Sequence, residues 1–372
     1  MTPIMPLRSY MTPDQSRRRR ESARRRRRAR RHAIAVGALA LAIVAALVVM
    51  AVATVHSSHG SATASTHRAH RHVHTTTIAT IAVPTRSPIG LPLGKPPLVL
   101  AGIGAHAQDP VHIAFHAPPH AGLLFNLDTG QVLWQRNPHI RLRIASLTKM
   151  MTALLTVRSE APDAPVLVTK QAVESAGSKV GVLPLGKHVR VESMLYGLLL
   201  PSGNDAAVAL AQTVAGSVSE FVTRMNAEAA KLGMGCTHYS SPSGYFDQYN
   251  FSCAADLALL AHVDLQQPRL ASITRTYTAK LPFPIKGGKL YLYNNNPLLI
   301  YHYPGLTGLK TGYTLAAGKC LVATAERDGV RLGVVLLNSP NPGTQARQLL
   351  DRGFEGVYHQ PAVPEPPIPA GE

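Results

Sequence analysis

From residue 121 onward, apolar and polar positions fall into short runs with recognisable periods. Apolar-rich Ala121–Asn126 and Gln131–Gln135 flank Leu127-Asp128-Thr129-Gly130, whose Asp and Gly are turn formers, and predict a β-hairpin. Leu147, Met150, Met151, Leu154 and Leu155 then recur as one helical stripe. Val191–Leu200 repeats the habit until Pro201 stops it, and Ala206–Ala215 resumes it, with Asp205 favouring the new helix's N-terminus. Helical patterning continues through Ser219–Leu232 and Ala254–Asp264. Extended character returns at Gly305–Thr314, Cys320–Glu326 and Arg331–Leu337, the last two joined by the turn Arg327-Asp328-Gly329-Val330. A closing helix is expected over Gln345–Tyr358, with Leu349, Leu350, Phe354 and Tyr358 on one side. Strands at both ends of a domain with helices between them predict one α+β unit whose two hairpins share an antiparallel sheet.

The preceding residues have a different texture. Ala33–Val55 is a run of 23 residues without a charge, about 34 Å long as a helix, enough to span a hydrocarbon core of roughly 30 Å. Met1–Arg31 holds 12 basic and 2 acidic residues, so it carries +10 of the formal net charge of +18. Positive charge beside an apolar span predicts a single-pass signal-anchor in a bacterial membrane, with the N-terminus cytoplasmic and the rest outside. It also turns the arginine block away from nucleic acid as a partner. A cleaved signal peptide ending at Ala51-Val52-Ala53 is the competing reading, and the run is longer than its usual apolar stretch of about 7–15 residues. The expected organisation is therefore a cytoplasmic Arg-rich segment (1–32), a transmembrane helix (33–55), a disordered Ser/Thr/His/Pro-rich spacer (56–118), a folded domain (119–359) and a disordered proline-rich tail (360–372). The histidines of His67–His74 read as part of the solvated spacer, and no metal or other cofactor is assigned. Three cysteines exclude a disulfide framework; Cys236 and Cys253 could pair in an oxidising exterior, but all three are expected as small buried hydrophobes.

Three short motifs follow in order within the domain: Ser146-Leu147-Thr148-Lys149, Ser202-Gly203-Asn204 and Lys310-Thr311-Gly312. Each alone has an ordinary account, as a helix cap, a polar turn or a strand with a glycine bulge. Together they have a chemical one. Ser146 and Lys149 lie one helical turn apart on the same face. A serine hydroxyl needs a neighbouring base, and a lysine serves as one only when burial or a second cation lowers its pKa. Lys310 is the candidate second cation. The same trio, with Ser-Asp-Asn second, marks class A β-lactamases and penicillin-binding proteins.

The stretches AGLLFNLDTGQVLWQRN, RIASLTKMMTALL, VESMLYGLLLPSGNDAAVALAQ, MNAEAAKLGM and GLKTGYTLAAGKCLVATA resemble the D-alanyl-D-alanine carboxypeptidases, the low-molecular-mass penicillin-binding proteins, from about Ala121 to about Tyr358. The resemblance implies a DD-peptidase or serine β-lactamase-like fold, an antiparallel sheet with an inserted all-helical lobe. It implies Ser146 as acyl-ester nucleophile, Lys149 as proton acceptor and Ser202 as proton relay. Asn204 would hold Lys149 and the substrate amide, Lys310 and Thr311 of the Lys-Thr-Gly312 strand the terminal carboxylate. The backbone N–H groups of Ser146 and Tyr313 would form the oxyanion hole. Implied partners are cell-wall stem peptides ending in D-Ala-D-Ala, with β-lactams as inhibitors. Many such enzymes carry a second, β-rich domain where this chain has a short proline-rich tail. A β-lactamase would need a deacylating glutamate, and the only glutamates between Asp205 and Lys310 are Glu220 and Glu228, both in expected helices. A catalytically silent wall-binding or sensor protein on the same fold is the other alternative.

Overall fold

The computed structural model describes residues 85–104, 109–245, 248–362 and 364. Strands β1 (Ala121–Asn126) and β2 (Val132–Arg136) form the expected hairpin. Between them and the later strands lie β3 (Leu142–Arg143), a 3₁₀ turn at Ala145–Thr148, helix α1 (Lys149–Ser159), β4 (Pro165–Leu167), α2 (Lys170–Glu174), β5 (His188–Arg190), α3 (Val191–Leu199), α4 (Asn204–Ala215) and α5 (Val218–Lys231). The chain continues through β6 (Phe251–Ser252), α6 (Ala254–Leu265), α7 (Pro268–Thr274), β7 (Thr278–Pro282), β8 (Lys289–Tyr293) and α8 (Pro297–Ile300). It ends with β9 (Leu306–Thr314), β10 (Gly318–Arg327), β11 (Val330–Leu337) and α9 (Pro342–Asp351), followed by a wider helical turn at Arg352–Val357.

Five strands form one antiparallel sheet in the order β2-β1-β11-β10-β9, in which Ala121 faces Leu337 and Asn126 faces Leu332. The two hairpins therefore share a sheet, as their position at either end of the domain predicts. All six residues of β1 are buried because both faces are covered. Leu123 and Phe125 join Val335, Leu257 and Leu260 in one core, whereas Leu124 joins Val334, Leu336, Leu349, Leu350 and Phe354 in the other. A further core lies in the inserted lobe, where Leu195, Leu198 and Leu210 pack with Leu270, Leu290 and Leu292.

Three expectations change. The lobe is not all-helical: β3–β6, β4–β5 and β7–β8 are two-stranded ribbons within it. The alternation Lys289-Leu290-Tyr291-Leu292-Tyr293, with the leucines buried and the others exposed, is what extends β8. Second, the described part of the expected spacer, 85–104 and 109–118, packs on the domain. Leu98 is buried among core residues, Gly94 N–H donates to Ala230 O at 2.9 Å, and Val111 N–H donates to Leu133 O at 2.9 Å. Its apolar residues around Pro-Leu-Val-Leu (97–100) outweigh the surrounding prolines. At the other end, Gln360, the first residue of the expected tail, donates to Phe354 O and Arg327 O. The Arg-rich segment, the apolar run, residues 56–84 and most of the tail lie outside the described residues.

Third, Cys236 and Cys253 are joined by a disulfide across a Cα separation of 5.7 Å, while Cys320 is a free buried thiol. Pairing could not be deduced from three cysteines and their spacing. The bond closes a loop of 17 residues, and such a loop contributes about 3 kcal/mol in the chain-entropy account.

Candidate active site

Three segments of the fold converge on Ser146. The 3₁₀ turn at Ala145–Thr148 carries it, with Ala145 in the left-handed region at φ 48°. Helix α1 follows directly, and its first residue is Lys149. The hydroxyl is not used as a cap: Lys149 Nζ donates to Ser146 Oγ at 2.8 Å. The same ammonium donates to Asn204 Oδ1 at 2.7 Å and to the carbonyl of Ser243 at 2.8 Å. All three N–H directions of Lys149 are thus engaged.

Lys149 is fully buried, and burial holds its pKa well below the ordinary lysine value; Lys310 pushes it in the same direction, against a smaller opposing pull from Asp205. Burial lowers Lys310 too, to about 7, and its Nζ donates to Thr311 O at 2.9 Å. The sequence pointed to Lys310 as the cation that would make Lys149 easier to deprotonate; here it is second to desolvation itself.

Ser202 stands in the break between α3 and α4, and Asn204 is the first residue of α4. Asn204 Nδ2 donates to Ala176 O at 2.6 Å, which fixes the amide so that its oxygen faces Lys149. Ser202 is 7% exposed and adopts φ 68°, and its Oγ has no hydrogen-bond partner among the described residues. A non-glycine residue held there stores about 1–3 kcal/mol of strain. Gly203 explains the departure from Ser-Asp-Asn, because a Cβ at this position would lie 2.7 Å from Asp205 Oδ1 and 2.8 Å from Gly197 O. Asp205 does more than favour a helix terminus: it accepts from Val180 N–H and Gly181 N–H, holding the facing loop.

Lys310, Thr311, Gly312 and Tyr313 lie on β9, the edge strand beside the turn that carries Ser146. A Cβ on Gly312 would sit 2.9 Å from Ile144 O and 3.2 Å from both Ser146 N and Leu147 N. Glycine lets the strand approach Ser146, so Gly312→Ala is expected to force the two apart, cost about 1–3 kcal/mol and slow acylation at Ser146 at least about ten-fold. Time-resolved labelling by a fluorescent penicillin, with melting curves as a control, checks this.

Contacts join Ser146, Lys149, Asn204 and Gly312, and Lys310 lies near enough to bias Lys149, whereas Ser202 and Thr311 make no hydrogen bond to Ser146 or Lys149 among the described residues. Three backbone contributors leave no mark in the motifs: Ser243, Ala176 and Ser178, the last accepting from Asn204 N–H at 2.7 Å. Ser243 lies inside the loop closed by Cys236 and Cys253. Serine replacement of both cysteines is therefore expected to lower stability by about 2–4 kcal/mol and to slow acylation, because the carbonyl that positions Lys149 loses its tether. Melting and penicillin labelling with and without reductant read both effects. His139, Cys236 and Cys253 are the group among the described residues close enough to hold a metal ion, within 4.8 Å, but the two sulfurs are bonded to each other. Glu220 pairs with Arg224, and Glu228 with Arg158 and Lys231, so both glutamates are engaged on α5.

A cleft of about 900 Å³ includes Ser146 in its lining, with Asn204, Ser240 and Tyr313–Ala316. A serine hydroxyl bonded to a buried, easily deprotonated lysine, at the floor of a cleft beside an edge strand, has the equipment of a serine acyl-transfer enzyme. A profile of the peptidase S11 family, described as D-alanyl-D-alanine carboxypeptidase, matches residues 108–341, and the chain belongs to this family.

Among similar proteins, the D-alanyl-D-alanine carboxypeptidase DacF of Bacillus subtilis is 36% identical over 251 residues, covering 65% of this chain and 63% of the relative. The D-alanyl-D-alanine carboxypeptidase DacB2 of Mycobacterium tuberculosis is 36% identical over 245 residues, covering 64% and 82%. The crystal structure of the Streptomyces K15 DD-transpeptidase is 30% identical with a TM-score of 0.61, covering 65% of this chain and 99% of that one.

Proposed function

We propose that this protein is a penicillin-sensitive serine D-Ala-D-Ala carboxypeptidase that trims cell-wall stem peptides. The observation that carries the reading is the 2.8 Å bond between Ser146 Oγ and a buried Lys149 whose pKa is lowered. In its neutral form Lys149 takes the serine proton as Ser146 Oγ attacks the carbonyl between the two D-alanines. The backbone N–H groups of Ser146 and Tyr313 receive the developing oxyanion, a contribution of about 3–4 kcal/mol per donor. Ser202, whose hydroxyl has no partner among the described residues, passes a proton to the departing D-alanine amine. Asn204 orients Lys149 and the substrate amide, and Lys310 and Thr311 bind the terminal carboxylate. Water then releases the acyl group. No metal or cofactor is needed by this route.

Purified protein is expected to form a long-lived adduct with a fluorescent penicillin and to release D-alanine from a D-Ala-D-Ala peptide, both lost in Ser146→Ala. Undiminished labelling of Ser146→Ala would sink the assignment. Rapid turnover of the penicillin would instead identify a β-lactamase, a role that the ion pairs of Glu220 and Glu228 on α5 disfavour. Similarity to a DD-transpeptidase supports a second fate for the same acyl group, transfer to an amine, which added amine acceptors would reveal by diverting product.

The uncharged run Ala33–Val55 behind an arginine block supports attachment to the bacterial membrane, with the domain on the outer side. An N-terminal tag retained on the membrane-bound protein is expected; its quantitative loss would mean cleavage.

A further inference from the structure

We infer that Arg143 makes the enzyme selective for stem peptides with a free carboxylate on the acyl-donor side of the scissile bond, an inference that rests on the peptidase reading above. Among the described residues lining the cleft, Arg143 is the one with a formal charge. Its guanidinium has no ion pair or hydrogen bond within the described residues. Its neighbour Arg141 differs, donating to Gly235 O at 3.2 Å and lying 5.8 Å from the centre of the Phe251 ring. Arg143 is exposed, at the end of β3 and three residues before the nucleophile.

The position of Arg143 along the cleft selects the part of the substrate it meets. Strand β9 runs from Lys310 past Tyr313 to Thr314. A peptide laid antiparallel on that edge, with its terminal carboxylate at Lys310 and Thr311, places its earlier residues beside Tyr313–Leu315, at about 3.4 Å per residue. Arg143 lines the cleft together with Tyr249 and the stretch Tyr313–Ala316, and Lys310 and Thr311 are not among the lining residues. Lys310 is buried and 1% exposed, so the two cations serve different parts of the ligand. Lys310 meets the C-terminal carboxylate, whereas Arg143 meets a side-chain carboxylate on the residue before the two D-alanines. A planar guanidinium matches a carboxylate with two parallel N–H bonds, which a carboxamide cannot accept in the same way.

The test compares acetyl-glutamyl-D-alanyl-D-alanine with acetyl-glutaminyl-D-alanyl-D-alanine, nearly equal in shape and different in charge, on the full chain and on R143Q and R143K. The parent enzyme is expected to favour the glutamyl peptide about ten-fold in kcat/KM, carried by KM and shrinking with added salt. R143Q should bring the ratio close to one, and R143K should keep part of it, which a merely structural role for Arg143 would not produce. A ratio near one in the parent enzyme, or an unchanged ratio in R143Q, overturns the inference while D-alanine release still supports the peptidase reading. Failure to release D-alanine from either peptide, together with no penicillin adduct at Ser146, overturns that reading and this inference with it.

Discussion

Lys149→Met is expected to fold and to lose acylation by about 10²–10⁴-fold, the range a general base contributes. The substitution keeps the length and much of the volume of the side chain while removing the base. Stability should change little, because two effects oppose each other. A buried amine is replaced by an apolar side chain, whereas Asn204 Oδ1 and Ser243 O lose their donor. Penicillin adduct formation and D-alanine release should fall together, since both proceed through Ser146. A normally active, normally folded Lys149→Met would remove lysine from the mechanism.

Lys310→Met is expected to be more stable than the parent and yet poorly active. The buried ammonium, with its pKa lowered to about 7, carries a penalty of up to roughly 4–5 kcal/mol. The sign follows from linkage. Between about pH 7 and 10.5 the unfolded lysine is protonated and the folded one is not, so this residue makes stability rise with pH across that interval. Below about pH 7 both forms are charged and the full penalty stands. The variant's advantage should therefore be greatest at and below neutral pH and vanish near pH 10, as unfolding curves at several pH values would show. Activity gives the opposite reading: the parent should lose carboxylate binding as pH rises through about 7, whereas Lys310→Arg should hold it to higher pH. An unchanged stability difference from pH 6 to pH 10 would contradict the burial argument.

The parts of this fold legible in the sequence are those where a side-chain period and a turn residue agree. Both hairpins of the sheet qualify, and α1, α3, α4, α5 and α6 differ from their expected bounds by only a few residues. The hairpin β7–β8 carries the same period-two signal over Lys289–Tyr293, but Pro282 and Pro284 beside it read as interruption. Leu98 and Val111 were hidden because proline and histidine around them set the average texture, although burial of single apolar residues decides whether a segment docks. Ser146, Lys149, Ser202, Asn204, Lys310 and Gly312 stood out because the proposed chemistry rests on their side chains, or lack of one. Ser243 was not, because a backbone carbonyl leaves no trace in residue identity, and neither was the disulfide that holds its loop.

The pairing of β1 with β11 has a consequence for how the enzyme comes into being. Ala121 meets Leu337, and Gly312 meets the turn at Ser146, across well over a hundred residues of intervening chain. Contacts that distant in sequence bear the full entropy of loop closure before they return any stabilisation, so they form late and slowly. The inserted lobe, with its local helix pairs, can organise first; Ser146 and its edge strand are joined only when the last hairpin has arrived. A chain halted before Gly318 thus already holds every motif residue and still has no partner strand to seat β9. Competence to react with penicillin is therefore expected to track completion of the whole sheet.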